Sequence, residues 1–265
     1  MDYCKTLLFK TKYAEEWEPV KKYYKESNIL EDDFLRIPDT FTLVKCNECN
    51  LVFVNPRLND EIVNRFYEEY LSGKYADYIH MYDSNFREIL FKDNLKLISE
   101  KLSMRSGMIL DIGCATGRLL KVAKEFGWIT YGIEVSETAA LEAMQYGDIF
   151  IGDVLNGLCN YKNGKFDAIT MIDSLEHVKS PMQTIKLTYD KLKSGGIIYI
   201  EVPNVESGLD EMTRHFHLFS FATLKQMLVK AGFHNIEEVF GLNNKYNPID
   251  NEQHGRFIRV IAHKL

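Results

Sequence analysis

The chain has 265 residues, 46% of them hydrophobic and 26% charged, with a formal net charge of −6 and a pI near 5.7. This describes an ordinary globular chain, long enough for one large domain or a core with a small appendage. It excludes a membrane span, for which no apolar run is long enough, and the acidic balance disfavours a partner with a phosphate backbone.

The first residues, MDYCKTLLFKTKYAEEWEPVKKYYKES, lack the basic start, long apolar block and small-residue cleavage site of an export signal. With five cysteines, an odd number, the expectation is a reducing cytoplasm and no disulfide framework. Residues 11–33 read as an exposed polar leader. Residues 41–54, FTLVKCNECNLVFV, place β-rich segments on both sides of a Cys46-x-x-Cys49 turn and predict a hairpin. Asn55-Pro56 ends that pattern, because proline cannot continue a ladder. From residue 60 to about 103 the chain is helix-like. Its aromatics crowd at Phe66, Tyr67, Tyr70, Tyr75, Tyr78, Tyr82 and Phe86, as in a helical lid.

After Ser106-Gly107 strands and helices alternate. MILDIG predicts a strand, GRLLKVAKEFG a helix, ITYGIEV a second strand, and SETAALEAMQYG a helix with Ser136 as N-cap. IFIGDV and FDAITMIDS predict a third and fourth strand. MQTIKLTYDKLKSGG predicts a helix, IIYIEVPN a fifth strand, FATLKQMLVKAGF an amphipathic helix, and IEEVFGL with RFIRVIAHKL a closing pair of strands. The expected fold is α/β, a Rossmann-like, doubly wound, mainly parallel seven-stranded sheet with a small N-terminal hairpin and a helical lid. The expected organisation is a leader and hairpin over 1–60, a tyrosine-rich lid over 61–105, and a core over 106–265. Ligands of such sheets sit outside the C-terminal strand ends.

The chemistry therefore belongs at those ends. Strand one leads into Asp111-x-Gly113-x-x-x-Gly117, where glycines let a ligand approach the backbone. A carboxylate at Asp111 repels pyrophosphate and attracts a cation. S-adenosylmethionine carries a sulfonium and an ammonium and no phosphate, so the sign of the charge favours it over NAD. The third glycine of a dinucleotide loop is also missing, since position 115 is alanine. Glu134, at the end of strand two, can accept from both ribose hydroxyls. Asp153 can accept from an adenine amine, with the Val154 amide facing the ring. IDSLEHV places Asp173, Ser174, Glu176 and His177 beside the same ligand.

The series ILDIGCATGRLL, YGIEVS, GDV, FDAITMIDSLEHVKSP and LKSGGIIYIEVPN resembles the class I S-adenosylmethionine-dependent methyltransferases over residues 106–265. VKCNECNLVFVNPRL and HFHLFSFATLKQMLVKAGF are similar to a bacterial subgroup acting on sugars and related small metabolites. That subgroup includes deoxysugar C-methyltransferases with an N-terminal zinc module. The resemblance implies S-adenosylmethionine bound by Asp111, Gly113, Cys114, Gly117, Glu134, Val135, Asp153, Val154, Asp173, Ser174 and His177. Two departures stand out. Only Cys46 and Cys49 form a cysteine pair, with a lone Cys4 upstream, so the zinc-ribbon-like segment is degenerate and zinc is not expected. Arg214 stands where relatives often carry a glutamate before the histidine of HxxxFS.

Methyl transfer to a hydroxyl needs alignment and a proton acceptor. His215 and His217 are the candidate bases, since a neutral imidazole suits that task near neutral pH. Tyr67, Tyr75, Arg57, Arg87 and Asn204 are candidates for the acceptor or the lid. His177 reads as shaping the cofactor pocket or capping the next helix, Glu176 as facing solvent, and Cys114 as a small filler without an activating partner. No metal ligands are assigned. The expected function is O-methylation of a small polar metabolite, a sugar or phosphorylated precursor, within surface-polysaccharide assembly. The alternatives are C-methylation of a keto-sugar nucleotide and an inactive S-adenosylmethionine-binding protein. The expected partners are a small-molecule substrate, no nucleic acid and no membrane, in a monomer or homodimer.

Overall fold

A computed structural model describes residues 5–12, 40–55, 85–207, 215–240 and 257–265. Of the leader read over residues 11–33, Thr11 and Lys12 end a strand, and residues 13–33, with Cys4, Arg57, the tyrosine cluster with Tyr67 and Tyr75, and Arg214, lie outside the described residues.

The alternation of short apolar strands with amphipathic helices produces a seven-stranded sheet. Its strands are β4 (Met108–Ile112), β5 (Ile129–Glu134), β6 (Asp148–Ile151), β7 (Phe166–Ile172), β8 (Leu192–Pro203), β10 (His234–Glu238) and β11 (Phe257–His263). Their order is β10-β11-β8-β7-β4-β5-β6. The run from β8 to β6 is parallel, and β11 pairs antiparallel with β8 and β10. The polypeptide reverses direction across the sheet after β6, returning to β7 on the other side of β4. That switch opens a crevice at the C-terminal ends of β4 and β7.

Successive residues of a strand point to opposite faces, and both faces here are buried. Ile109, Ala168, Ile197 and Tyr199 pack on one side with Leu95, Ile98 and Leu120. Leu110, Ile169, Ile198 and Ile200 pack on the other with Ile185, Leu224 and Leu228. Each such Leu or Ile contributes about 1.5–3 kcal/mol relative to exposure. Leu95 and Ile98 belong to α1 (Asn85–Leu102), the described part of the segment read as a lid, so this helix is a layer of the core.

Between the strands run α2 (Arg118–Glu125), α3 (Glu137–Ala143), α4 (Val154–Asn160), α5 (Pro181–Lys191) and α6 (Phe221–Ala231). Ser136 caps α3 through Oγ, which accepts from the Ala139 N–H, and Ser220 caps α6 in the same way through Thr223. Helix α4 is not among the helices that the sequence pattern predicts. Its seven residues, VLNGLCN, are too few to show a helical period, and the signal that marks it is its cap at Asp153.

A second sheet, ordered β1-β2-β3-β9, contains the predicted hairpin. Its strands are β1 (Lys5–Lys12), β2 (Thr40–Cys46), β3 (Val52–Val54) and β9 (His217–Leu218). Strand β9 comes from the segment after β8 and pairs with β3 through Phe53↔His217 and Val52↔Leu218. The hairpin is therefore stitched to the chain that carries both candidate histidines. Among the described residues no helix is long and apolar enough to cross a membrane.

Candidate functional site

The loop after β4 winds through left-handed backbone at Gly113 (φ +76°), Ala115 (φ +45°) and Gly117 (φ +80°). A Cβ at Gly113 would lie 2.8 Å from the Ser174 Cβ, and one at Gly117 2.9 Å from the Ala143 Cα, so both positions need glycine for conformation and for space. Ala115 has no such freedom, and its conformation costs about 1–2 kcal/mol. Glu134 offsets this from the end of β5, where its Oε2 accepts from the Ala115 N–H at 2.9 Å. Its Oε1 accepts from the Val135 and Ser136 N–H groups, both at 2.9 Å. The acid expected to meet a ribose is thus already oriented by three backbone amides.

Asp111, the last residue but one of β4, is buried and accepts from Thr170 Oγ1 at 2.7 Å through Oδ1. Burial, reinforced by the negative charge of Glu134 and opposed by the Thr170 bond, lifts its pKa to about 7. A neighbouring ammonium or sulfonium would restore the carboxylate. Thr170 lies inside a β-rich run and carries no sequence signal of its own; only the register Asp111↔Thr170 reveals it. Cys114 is buried, with its Sγ packed on Gly132, and burial with the Asp111 and Glu134 charges holds its thiol well above the ordinary range. It is a neutral filler.

Asp153 follows the end of β6 at Ile151 by two residues and caps α4. Its Oδ1 accepts from the Leu155 and Asn156 N–H groups at 3.0 and 3.1 Å, and its Oδ2 from the Asn156 side chain. Val154 is the first residue of that helix.

The end of β7 differs from the reading made of it. Asp173 takes left-handed backbone (φ +49°) and donates its N–H to the Glu201 carbonyl at 3.0 Å. Arg87 of α1 reaches across to the Asp173 Oδ2 at 3.0 Å, so this arginine is committed to a site acid. Glu176, expected to face solvent, is 1% exposed. It sits with His177 in a 3-10 turn, Leu175–His177, that folds back beneath β9. His177 does not cap the next helix; Ser180 holds the N-cap position of α5. Instead its Nε2 lies 3.8 Å from the Glu176 Oε1, and the His215 Nε2 lies 4.0 Å from the same oxygen. The two imidazoles meet edge to face with centroids 4.8 Å apart. The Phe216 N–H donates to the Glu176 carbonyl at 3.0 Å and fixes one segment against the other. Burial, with the Asp173 and Glu201 charges added, drives the Glu176 carboxyl well above the ordinary range.

The His217 ring lies tilted against Phe219, with centroids 6.4 Å apart. Asn204 is buried and closes a turn, its Oδ1 accepting from the Glu206 N–H at 3.0 Å and its carbonyl from Ser207 Oγ. Behind the site, Glu201 and Arg259 face each other across β8 and β11 with Nε to Oε2 at 2.8 Å. Neither had been singled out in the sequence, because each reads as one polar residue in an apolar strand. In the hairpin, Cys46 and Cys49 are free thiols of one turn, closed by the Asn50 N–H to the Cys46 carbonyl at 2.9 Å.

This arrangement agrees with what the chain resembles. Residues 67–238 match the family model described as a methyltransferase domain. A curated relative, the ubiquinone biosynthesis O-methyltransferase of Glaesserella parasuis, is 34% identical over 106 residues, 36% of this chain and 45% of that protein. The chain spans about half the length of the curated relatives it matches. Among solved structures, a possible histamine N-methyltransferase from Thermotoga maritima superposes with a TM-score of 0.57 at 22% identity, over 77% of this chain and 99% of that one. The phosphoethanolamine N-methyltransferase 2 of Haemonchus contortus, solved with S-adenosylmethionine, superposes at 0.51 and 19% identity, over 65% and 52%. The strand order, the acid-ended glycine loop and the family match converge: the chain belongs to the methyltransferase-domain family and has the class I architecture of S-adenosylmethionine-dependent methyltransferases.

Proposed function

We propose that the protein transfers the methyl group of S-adenosylmethionine to a hydroxyl oxygen of a small polar acceptor. One observation carries the choice of acceptor atom: the buried Glu176 and the imidazoles of His177 and His215 gather at the turn that follows Ser174, the residue packed on Gly113 of the glycine loop. An amine acceptor needs only to be presented as its free base, whereas a hydroxyl must lose its proton as it attacks. His215 takes that proton, and Glu176, in its ionised form, stabilises the imidazolium that forms. Asp111, Gly113, Gly117 and Glu134 hold the donor, with Ser174 and Asp173 closing the crevice from the end of β7.

The names of the curated relatives support oxygen as the target. They refer to ubiquinone biosynthesis and not to sugars, so the sugar or phosphorylated precursor expected from the flanking motifs rests on those motifs alone. A hydroxylated ring is the second reading, favoured by those names.

Transfer of radiolabelled methyl groups from S-adenosylmethionine to two panels, sugar phosphates with sugar nucleotides and hydroxylated aromatic acids, tests the proposal. Product from either panel, lost in His215→Gln, supports it. Transfer to amine acceptors alone refutes the oxygen target. Tight cofactor binding with no transfer to any acceptor favours a binding protein.

A further inference from the structure

We propose that Glu176, His177 and His215 form the protein face of a divalent transition-metal site. The proposal departs from the sequence reading, which assigned no metal ligands, and it rests on the O-methylation reading above. The three side chains offer a carboxylate oxygen and two imidazole nitrogens that lie within 4.8 Å of one another. The two separations from the Glu176 Oε1, 3.8 and 4.0 Å, are too long for hydrogen bonds. They are close to those of ligands sharing one ion, since metal–ligand bonds of about 2.1 Å put tetrahedral neighbours roughly 3.4 Å apart. Small rotations of the side chains close the difference.

The second observation is the state of Glu176. Its carboxylate is buried, yet neither oxygen accepts a hydrogen bond among the described residues. A buried carboxylate left so costs several kcal/mol unless something else meets it, which makes buried acids that lack bonds rare. A cation among the three ligands meets it directly. The backbone is already fixed for this purpose: the Phe216 N–H binds the Glu176 carbonyl, and the Val54 N–H binds the Phe216 carbonyl, both at 3.0 Å. The N-terminal hairpin thereby holds His215 against the 3-10 turn.

Ligand chemistry selects the ion. Two imidazoles favour a first-row transition cation over magnesium or calcium, which prefer all-oxygen shells. Three protein ligands leave coordination positions open for an acceptor. Bound there, an acceptor hydroxyl becomes acidic enough to lose its proton to water at neutral pH. Its oxygen then forms a bond to the methyl carbon while the bond from that carbon to sulfur breaks and its electron pair returns to sulfur. The products are the methyl ether and neutral S-adenosylhomocysteine. With the ion in place His215 is a ligand, and the cation takes over its part in deprotonation.

Cobalt(II) titration of the chelator-stripped full chain, followed by calorimetry and visible absorption, tests the site. The expected result is saturable binding of one equivalent, weakened about 100-fold or more in Glu176→Gln and in His215→Gln. The Cys46→Ser/Cys49→Ser variant should keep that binding, with no sulfur charge-transfer band in the wild type. S-adenosylhomocysteine binding by every variant serves as the control for folding. No saturable binding by the wild type overturns the proposal. So does binding that Glu176→Gln leaves within twofold, or that only the cysteine variant loses. Full methyl transfer in excess chelator also overturns it and leaves the O-methylation reading standing. Cobalt bound through these three residues with no transfer to any hydroxyl acceptor does the reverse.

Discussion

Two of the buried glutamates, Glu201 and Glu176, are held in opposite ways. Glu201, in the middle of the sheet, is 3% exposed and bonded to the Arg259 guanidinium, with the Tyr199 hydroxyl 3.4 Å from the same oxygen. Glu176, one turn beyond β7, is 1% exposed and, among the described residues, faces two imidazoles that both lie beyond hydrogen-bond reach. Burial pushes both carboxyls upward, but Arg259 pulls that of Glu201 back. On our proposal, the difference separates a structural charge from a functional one. The first is closed by a partner from within the chain, and the second accepts no hydrogen bond among the described residues. The donor side of the crevice resembles the first case: Glu134, Asp153 and Ser136 each accept from backbone amides.

Cutting the closed pair gives the largest expected effect. Arg259→Leu leaves Glu201 buried without its cation and should cost about 3–5 kcal/mol, read by urea unfolding. A loss under 1 kcal/mol would mean that Glu201 is held as a neutral acid and would erase the contrast. Glu176→Gln should do the reverse, leaving stability unchanged or higher while lowering turnover by about 10²–10⁴-fold. A comparable fall in stability would show that Glu176 is a structural charge after all.

Asp111→Asn should weaken S-adenosylmethionine binding about 10–100-fold without changing acceptor preference, because it removes a carboxylate next to a cation while keeping a partner for Thr170. Its pH dependence follows from a pKa near 7. Cofactor affinity in the wild type should fall as pH drops through about 7, since the cation prefers the ionised form. Stability of the free chain runs the other way. A raised carboxyl makes the folded state hold a proton that the unfolded chain has already released, so stability declines as pH rises from about 4 to 7. Calorimetric titrations and thermal melts across that range check both slopes, and Asp111→Asn should flatten both.

Smaller effects belong to the scaffold. Ser136→Ala removes the α3 cap and should cost about 1 kcal/mol in a thermal melt with acceptor KM unchanged. Arg87→Gln breaks an ion pair whose side chains are 28% and 26% exposed, so solvent screening holds its stability cost to about 1 kcal/mol or less. A larger change in cofactor affinity than in stability would assign Arg87 to positioning Asp173.

Much of this was legible in the chain itself. Period-two and helical patterns mark the alternating strands and helices, because burying both sheet faces forces apolar runs between polar helix faces. The turn chemistry of ILDIGCATG and the acid at Glu134 locate the donor side, because a left-handed loop demands glycine wherever a Cβ would collide. Those are local constraints, and local residues record them. Glu176 is different. Its neighbours in sequence, Leu175 and His177, do not say whether it faces water or the interior. That was decided when β9 brought His215 and Phe216 against the 3-10 turn. Thr170 and Arg259 were equally silent, each defined by a partner on another strand. Sequence alone determined the fold class and the sign of the donor's charge, since both follow from residues close together in the chain. Only the tertiary structure decided which acid is closed by a partner and which accepts no hydrogen bond among the described residues, because a buried charge is defined by what distant segments place around it.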